Sequence, residues 1–153
     1  MKTLILCLGN SILGDDGVGL AVARRLRKTF SDPHVHIVEA GIGGIRLLDY
    51  LAGYDKAIII DAIQTKKAKP GHIFKFTRDS LEETSHTNST HDCGLLTALK
   101  LGTTLKMAIP LTITMYAIEV EEVDTFTENC SPAVNKASIS CTELILRELG
   151  MKP

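Results

Sequence analysis

The sequence predicts an α/β fold: a three-layer sandwich whose mostly parallel twisted sheet of about five strands, one of them an antiparallel edge strand, carries helices on both faces. Three observations lead there. Short, nearly continuous apolar runs alternate with segments whose apolar residues recur at helical spacing. The runs lack the polar alternation of half-solvated strands, as expected when both faces are covered. One later run does alternate and has no helical segment leading into it, which marks an antiparallel edge.

The first run, Thr3 to Leu8, is followed by Val18, Ala21, Val22 and Leu26 on one helical face. Val35 to Glu39 is the second strand, and Ile45, Leu48 and Leu51 share a helical face after it. Ala57 to Asp61 is the third. Strand, helix, strand, helix, strand implies right-handed crossovers around a parallel sheet. Pro70-Gly71 breaks this rhythm, and His72-Ile73-Phe74-Lys75-Phe76 reads as the edge strand. Residues 80–92, rich in Ser, Thr, His and Asn, read as a loop before the helical Leu95, Leu96 and Leu99. Leu111 to Val120 is the last strand. Val134, Ala137, Cys141, Leu144, Ile145 and Leu149 mark the last helix, with Ser131 as its cap, Pro132 at its first position and Gly150 ending it.

With 153 residues and 44% hydrophobic content, residues 1–153 are expected to form one domain. A chain of this size buries roughly 68–70% of its unfolded surface, so neither disulfides nor a metal is needed to hold it together. The formal net charge of -1 excludes a basic field for nucleic acid, so a macromolecular partner must be recognised by shape. Cys7, Cys93, Cys130 and Cys141 are scattered without a CxxC pair, which suits a reducing, cytoplasmic setting. Leu4 to Leu8 is too short for a signal-peptide core, and no stretch is long enough to cross a membrane.

In an open parallel sheet, ligands bind beyond the carboxyl ends of the strands. The loops that matter therefore follow Leu8, Glu39 and Ile60, or precede Cys93. The first reads Gly9-Asn10-Ser11-Ile12-Leu13-Gly14-Asp15-Asp16-Gly17-Val18-Gly19. It contains neither GxGxxG nor Gly-Lys-Ser/Thr, and its paired aspartates would repel a phosphate, so no organic cofactor is expected. One aspartate is expected to cap the following helix, and the pair sits where a carboxylate can meet a cation. Asp61 ends an apolar strand, where a charge carries a desolvation cost unless it is paired, hydrated or metal-bound. Its bland alternative is to anchor the next loop. His91, in Ser89-Thr90-His91-Asp92-Cys93-Gly94, stands near a helix N-terminus, which favours the neutral, metal-binding imidazole. The alternative is a solvated side chain, and His86 is its rival in the same loop. His34 and His36 face solvent on a strand, Cys93 and Cys130 read as packed thiols, and Lys66, Lys67 and Lys69 as a solvated loop.

These residues resemble the hydrogenase maturation endopeptidases over nearly the whole chain. Leu8-Gly9-Asn10-Ser11-Ile12-Leu13-Gly14-Asp15-Asp16-Gly17-Val18-Gly19 is similar to that family's amino-terminal signature. Glu39-Ala40-Gly41-Ile42-Gly43-Gly44 resembles its glycine-rich turn, Asp61-Ala62 its acid after the third strand, and Ser89 to Leu95 its histidine segment. Ser131-Pro132-Ala133-Val134 extends the likeness. The resemblance implies a twisted sheet between helices, a metal site formed by Asp16, Asp61 and His91, and catalysis by the same residues. It also implies a protein partner, the precursor of the large subunit of a nickel-iron hydrogenase, from which a short C-terminal extension is removed. The nickel is supplied by that substrate. The chain departs from the family at Ile42, where threonine is common, and at Ile118-Glu119-Val120, where Ile-Gln-Pro is usual; both departures are expected on the substrate surface.

Two carboxylates and an imidazole suit nickel or zinc. The metal can polarise the scissile carbonyl or generate hydroxide, or a carboxylate can act as general base while nickel serves recognition. The alternatives are a receiver-like phosphoacceptor domain, which expects a lysine ending the fifth strand, a non-proteolytic metal-sensing relative, and a dinucleotide-binding oxidoreductase, for which the fingerprint is missing.

Overall fold

The computed structural model describes the backbone of residues 1–153 except 42, 84–89 and 122–125, and leaves the side chains of 81–93 undescribed as well. Among the described residues five strands form one sheet: β1 (Thr3–Leu8), β2 (Val35–Ala40), β3 (Lys56–Ile63), β4 (Ile73–Thr77) and β5 (Thr112–Glu119), in the order β2-β1-β3-β5-β4. The β1–β2, β1–β3 and β3–β5 pairs are parallel, and β4 runs antiparallel to β5 at the edge, with Phe74 opposite Ala117. This is the sheet expected from the sequence.

Alternation along the strands divides the core in two. Leu4, Leu6, Ala57, Ile59, Ile113 and Met115 face α2 (Leu47–Leu51) and α4 (Thr90–Thr104). Ile5, Cys7, Ile58, Ile60, Tyr116 and Ile118 face α1 (Val18–Thr29) and α5 (Pro132–Glu148). Each fully buried Leu or Ile contributes about 1.5–3 kcal/mol. The continuous apolar runs arise because both faces are covered. Arg25 of α1 donates from Nε to Oγ of the buried Ser138 of α5 at 3.1 Å, tying the two helices of that layer together.

Three local expectations are corrected. Residues 80–83 are not loop but the end of α3 (Arg78–Glu83), and α4 begins at Thr90. The Thr77 N–H donates to Ser80 Oγ at 2.7 Å and the Ser80 N–H to Thr77 Oγ1 at 3.4 Å, a reciprocal capping arrangement that starts α3. After β2 a 3-10 turn (Gly44–Arg46) precedes α2, so Leu47 joins Leu48 and Leu51 inside while Ile45 is exposed. Ser131 occupies the N-cap position of α5, yet its side chain makes no capping bond. Pro132 and Gly150 play their expected parts, the latter with φ of 75°.

Among the described residues no helix is long and apolar enough to cross a membrane. Cys7, Cys130 and Cys141 are free thiols. Burial pushes the Cys141 thiol up to about 12, which makes it a packing group rather than a nucleophile.

Candidate functional site

The site is assembled where β1 and β3 end side by side. The chain leaves β1 at Gly9, whose φ is 150° and whose missing Cβ would lie 2.1 Å from the Asp16 carbonyl oxygen. Only glycine permits that approach. A second 3-10 turn (Gly14–Gly17) carries Asp15 and Asp16 and runs into α1. A Cβ on Gly19 would lie 2.3 Å from the Leu8 carbonyl oxygen, so α1 begins directly against the exit of β1. These glycines serve close backbone packing.

The paired aspartates take different roles. The N-cap position of α1 is held by Gly17 rather than by an aspartate, contrary to expectation. Asp15 is buried; its Oδ1 accepts the Ser131 N–H at 2.6 Å and its Oδ2 the Ser131 hydroxyl at 3.0 Å. Asp16 is half-buried, and its Oδ2 accepts the Asn10 N–H at 3.0 Å. Asp61, near the carboxyl end of β3, is 2% exposed, and its Oδ1 accepts the Ala62 N–H at 2.8 Å. Asp16 and Asp61 line one cleft of about 190 Å³ together with Gly9, Asn10, Leu13 and Gly41.

His91 lies in the first turn of α4, but its side chain is outside the described residues, as are the side chain of Cys93 and the whole of His86. The start of α4 packs on the loop after β2: a Cβ on Gly94 would lie 3.1 Å from Gly44 Cα. Among the described residues no three His, Cys, Asp or Glu side chains cluster as a metal site. Two acidic side chains on one cleft are nevertheless the hard-donor part of a set that fits a borderline divalent ion.

Other residues fall as follows. His34 and His36 are exposed, and His36 Nδ1 is 2.8 Å from the Tyr54 hydroxyl. Cys130 is half-buried with Sγ 3.8 Å from the Gly14 carbonyl oxygen, and burial, then Asp15, raise its pKa. Ile42 lies outside the described residues. The Ile118-Glu119-Val120 run is not on the surface. All three residues are buried, and Glu119 accepts hydrogen bonds from the Thr65 N–H and hydroxyl. β5 therefore ends on a buried carboxylate where a receiver would present a lysine. Sequence reasoning missed this anchor, because it depends on the register that sets Ile63 opposite Glu119.

A mostly parallel sheet that brings one acid from the turn after β1 and one from the end of β3 to a single cleft at its carboxyl edge defines an α/β protein with a carboxylate-bearing site. The chain belongs to the hydrogenase maturation protease family, whose HycI model matches residues 20–148. It is 35% identical over 102 residues to the hydrogenase 2 maturation protease of Escherichia coli (strain K12), covering 65% of this chain and 62% of that protein. It is 38% identical over 80 residues to a putative hydrogenase maturation protease of Methanocaldococcus jannaschii, covering 51% of each. The chain thus spans about half to three-fifths of the length of these curated relatives. The likeness to solved structures is wider. The [NiFe] hydrogenase maturation protease HybD from Thermococcus kodakarensis superposes with a TM-score of 0.75 at 32% identity over 97% of this chain and 99% of that one. The hydrogenase maturating endopeptidase HybD of Escherichia coli gives 0.80 at 25% identity over 99% and 96%.

Proposed function

We propose that this chain is a cytoplasmic endopeptidase that removes a C-terminal extension from the precursor of a nickel-iron hydrogenase large subunit after nickel insertion. Membership of the maturation protease family supports the reaction class. The observation that carries the assignment to this cleft is the meeting of Asp16, from the turn after β1, and Asp61, from the end of β3, on one cavity. His91, in the first turn of α4, is proposed as the third member of the set.

In this reading nickel arrives as part of the substrate. Asp16, Asp61 and His91 bind it and thereby bring the scissile amide into the cleft. Hydrolysis then adds water across that amide. A carboxylate of the pair takes the proton from the attacking water and returns it to the leaving nitrogen, so the carboxylate is regenerated. When bound, the metal polarises the carbonyl.

The test is incubation with nickel-loaded and metal-free precursors, followed by gel mobility and mass spectrometry of the released peptide. The loaded precursor alone should be shortened. Equal processing of both would overturn nickel recognition, and processing of neither would overturn the peptidase assignment.

A further inference from the structure

Two adjacent acids stand in the turn after β1, and only Asp16 lines the cleft. We infer that Asp15 is a positioning residue: its buried carboxylate, closed on Ser131, fixes the turn from which Asp16 reaches the cleft. The inference rests on the proposed role of Asp16 in that cleft.

Asp15 is 1% exposed. A carboxylate so enclosed carries a desolvation cost that charge-assisted hydrogen bonds must offset. Ser131 supplies two, through its N–H at 2.6 Å and its hydroxyl at 3.0 Å. The neighbouring backbone is tied to the same segment. The Gly14 N–H donates to the Thr127 carbonyl at 2.9 Å, and the Thr127 N–H to the Ile12 carbonyl at 2.9 Å. On its other side the turn is held at the exit of β1, where Gly9 admits the Asp16 carbonyl and the Asn10 N–H donates to Asp16 Oδ2 at 3.0 Å. The turn is therefore fixed at both ends. Freeing Asp15 removes the side-chain clamp and leaves the β1 side and the backbone pairing with Thr127 to orient Asp16.

A merely structural acid and a positioning acid predict different behaviour, and three variants of the full chain separate them. In Asp15→Asn the amide oxygen accepts the Ser131 N–H and the NH₂ donates to the hydroxyl, so the clamp persists without the charge. Asp15→Ala removes it. Leu146→Ala cavitates the distant, buried end of α5 and lowers stability without touching the turn. The readouts are the thermal midpoint, amide exchange at Asn10, Gly14 and Asp16, affinity for Ni²⁺ alone, and kcat and KM on nickel-loaded precursor. Asp15→Ala should speed exchange at those amides and lower Ni²⁺ affinity and kcat about 10–100-fold. Asp15→Asn should stay close to the unaltered protein in every readout. Leu146→Ala should lower the midpoint while leaving exchange at those amides and Ni²⁺ affinity unchanged. Unchanged exchange in Asp15→Ala, or equal changes in Leu146→Ala, would overturn the inference. If the unaltered protein fails to trim any precursor, the peptidase reading falls, and amide exchange still decides whether Asp15 sets the turn.

Discussion

The Tyr116 hydroxyl, rooted in the middle of β5, donates a 2.6 Å hydrogen bond to Glu148 Oε2 in the last turn of α5. The same carboxylate accepts from Thr114 Oγ1 at 2.9 Å and faces Lys56 Nζ at 3.1 Å. Burial alone would raise the pKa of Glu148, but the hydrogen bonds from Tyr116, Lys56 and Thr114 outweigh it and hold the carboxyl below its usual range. A carboxyl whose pKa is lowered on folding stabilises the fold fully above its unfolded pKa. That contribution is lost as pH falls through the lowered folded value.

Glu148→Gln should therefore cost about 1–3 kcal/mol at neutral pH, since hydrogen bonds to a charged group are weakened and Lys56 loses its counterion. Urea unfolding as a function of pH checks it. The variant should lose part of the decline in stability seen below the ordinary carboxylate range. An unchanged acid slope would show that Glu148 is not the group that titrates.

Gly9→Ala should be far more damaging than its size suggests. The added Cβ would meet the Asp16 carbonyl oxygen at 2.1 Å in a backbone with φ of 150°. Strain of this kind costs about 1–3 kcal/mol where it can be absorbed. Absorbing it here means moving Asp16, so precursor trimming should fall further than stability. Chemical unfolding beside single-turnover cleavage measures both, and a variant with normal cleavage would contradict the tight turn.

The strands were legible because β1, β3 and β5 are covered on both faces and each holds a run of apolar residues with few polar interruptions. Asp16 and Asp61 were legible as candidates because ligands collect where parallel strands end. The start of α3 was not, since Thr77 and Ser80 cap each other without the Glu or Gln that usually signals a capping box. Ile45 was misread because the helical phase begins only at Leu47, after a 3-10 turn. The Asp15–Ser131 clamp had no local signal at all, for its partners meet only once α5 docks beside α1.

His91 and His86 are separable by substitution. If His91 completes the site, His91→Ala should abolish trimming of nickel-loaded precursor, while His86→Ala should leave it intact. Alanine favours a helix, so the first turn of α4 tolerates the change and the thermal midpoint should barely move. The reverse pattern, with His86 essential and His91 dispensable, would move the third ligand without disturbing the family assignment.

Asp16→Asn and Asp61→Asn distinguish the two ways a carboxylate can serve the reaction. Each keeps the shape of the side chain and its capacity to accept from the Asn10 or Ala62 N–H, so both variants should fold. Asp61 is the more deeply enclosed, and its replacement should cost more stability than that of the half-buried Asp16. A residue that takes the proton from the attacking water should, when neutralised, lower kcat about 10²–10⁴-fold and leave precursor affinity nearly unchanged. A residue that holds nickel should lose affinity for the loaded precursor together with kcat. Comparing kcat with the dissociation constant of nickel-loaded precursor for each variant therefore assigns the roles. If one asparagine variant trims at the unaltered rate, that acid has no part in the reaction; if both do, the cleft they line is not where the peptide is cut.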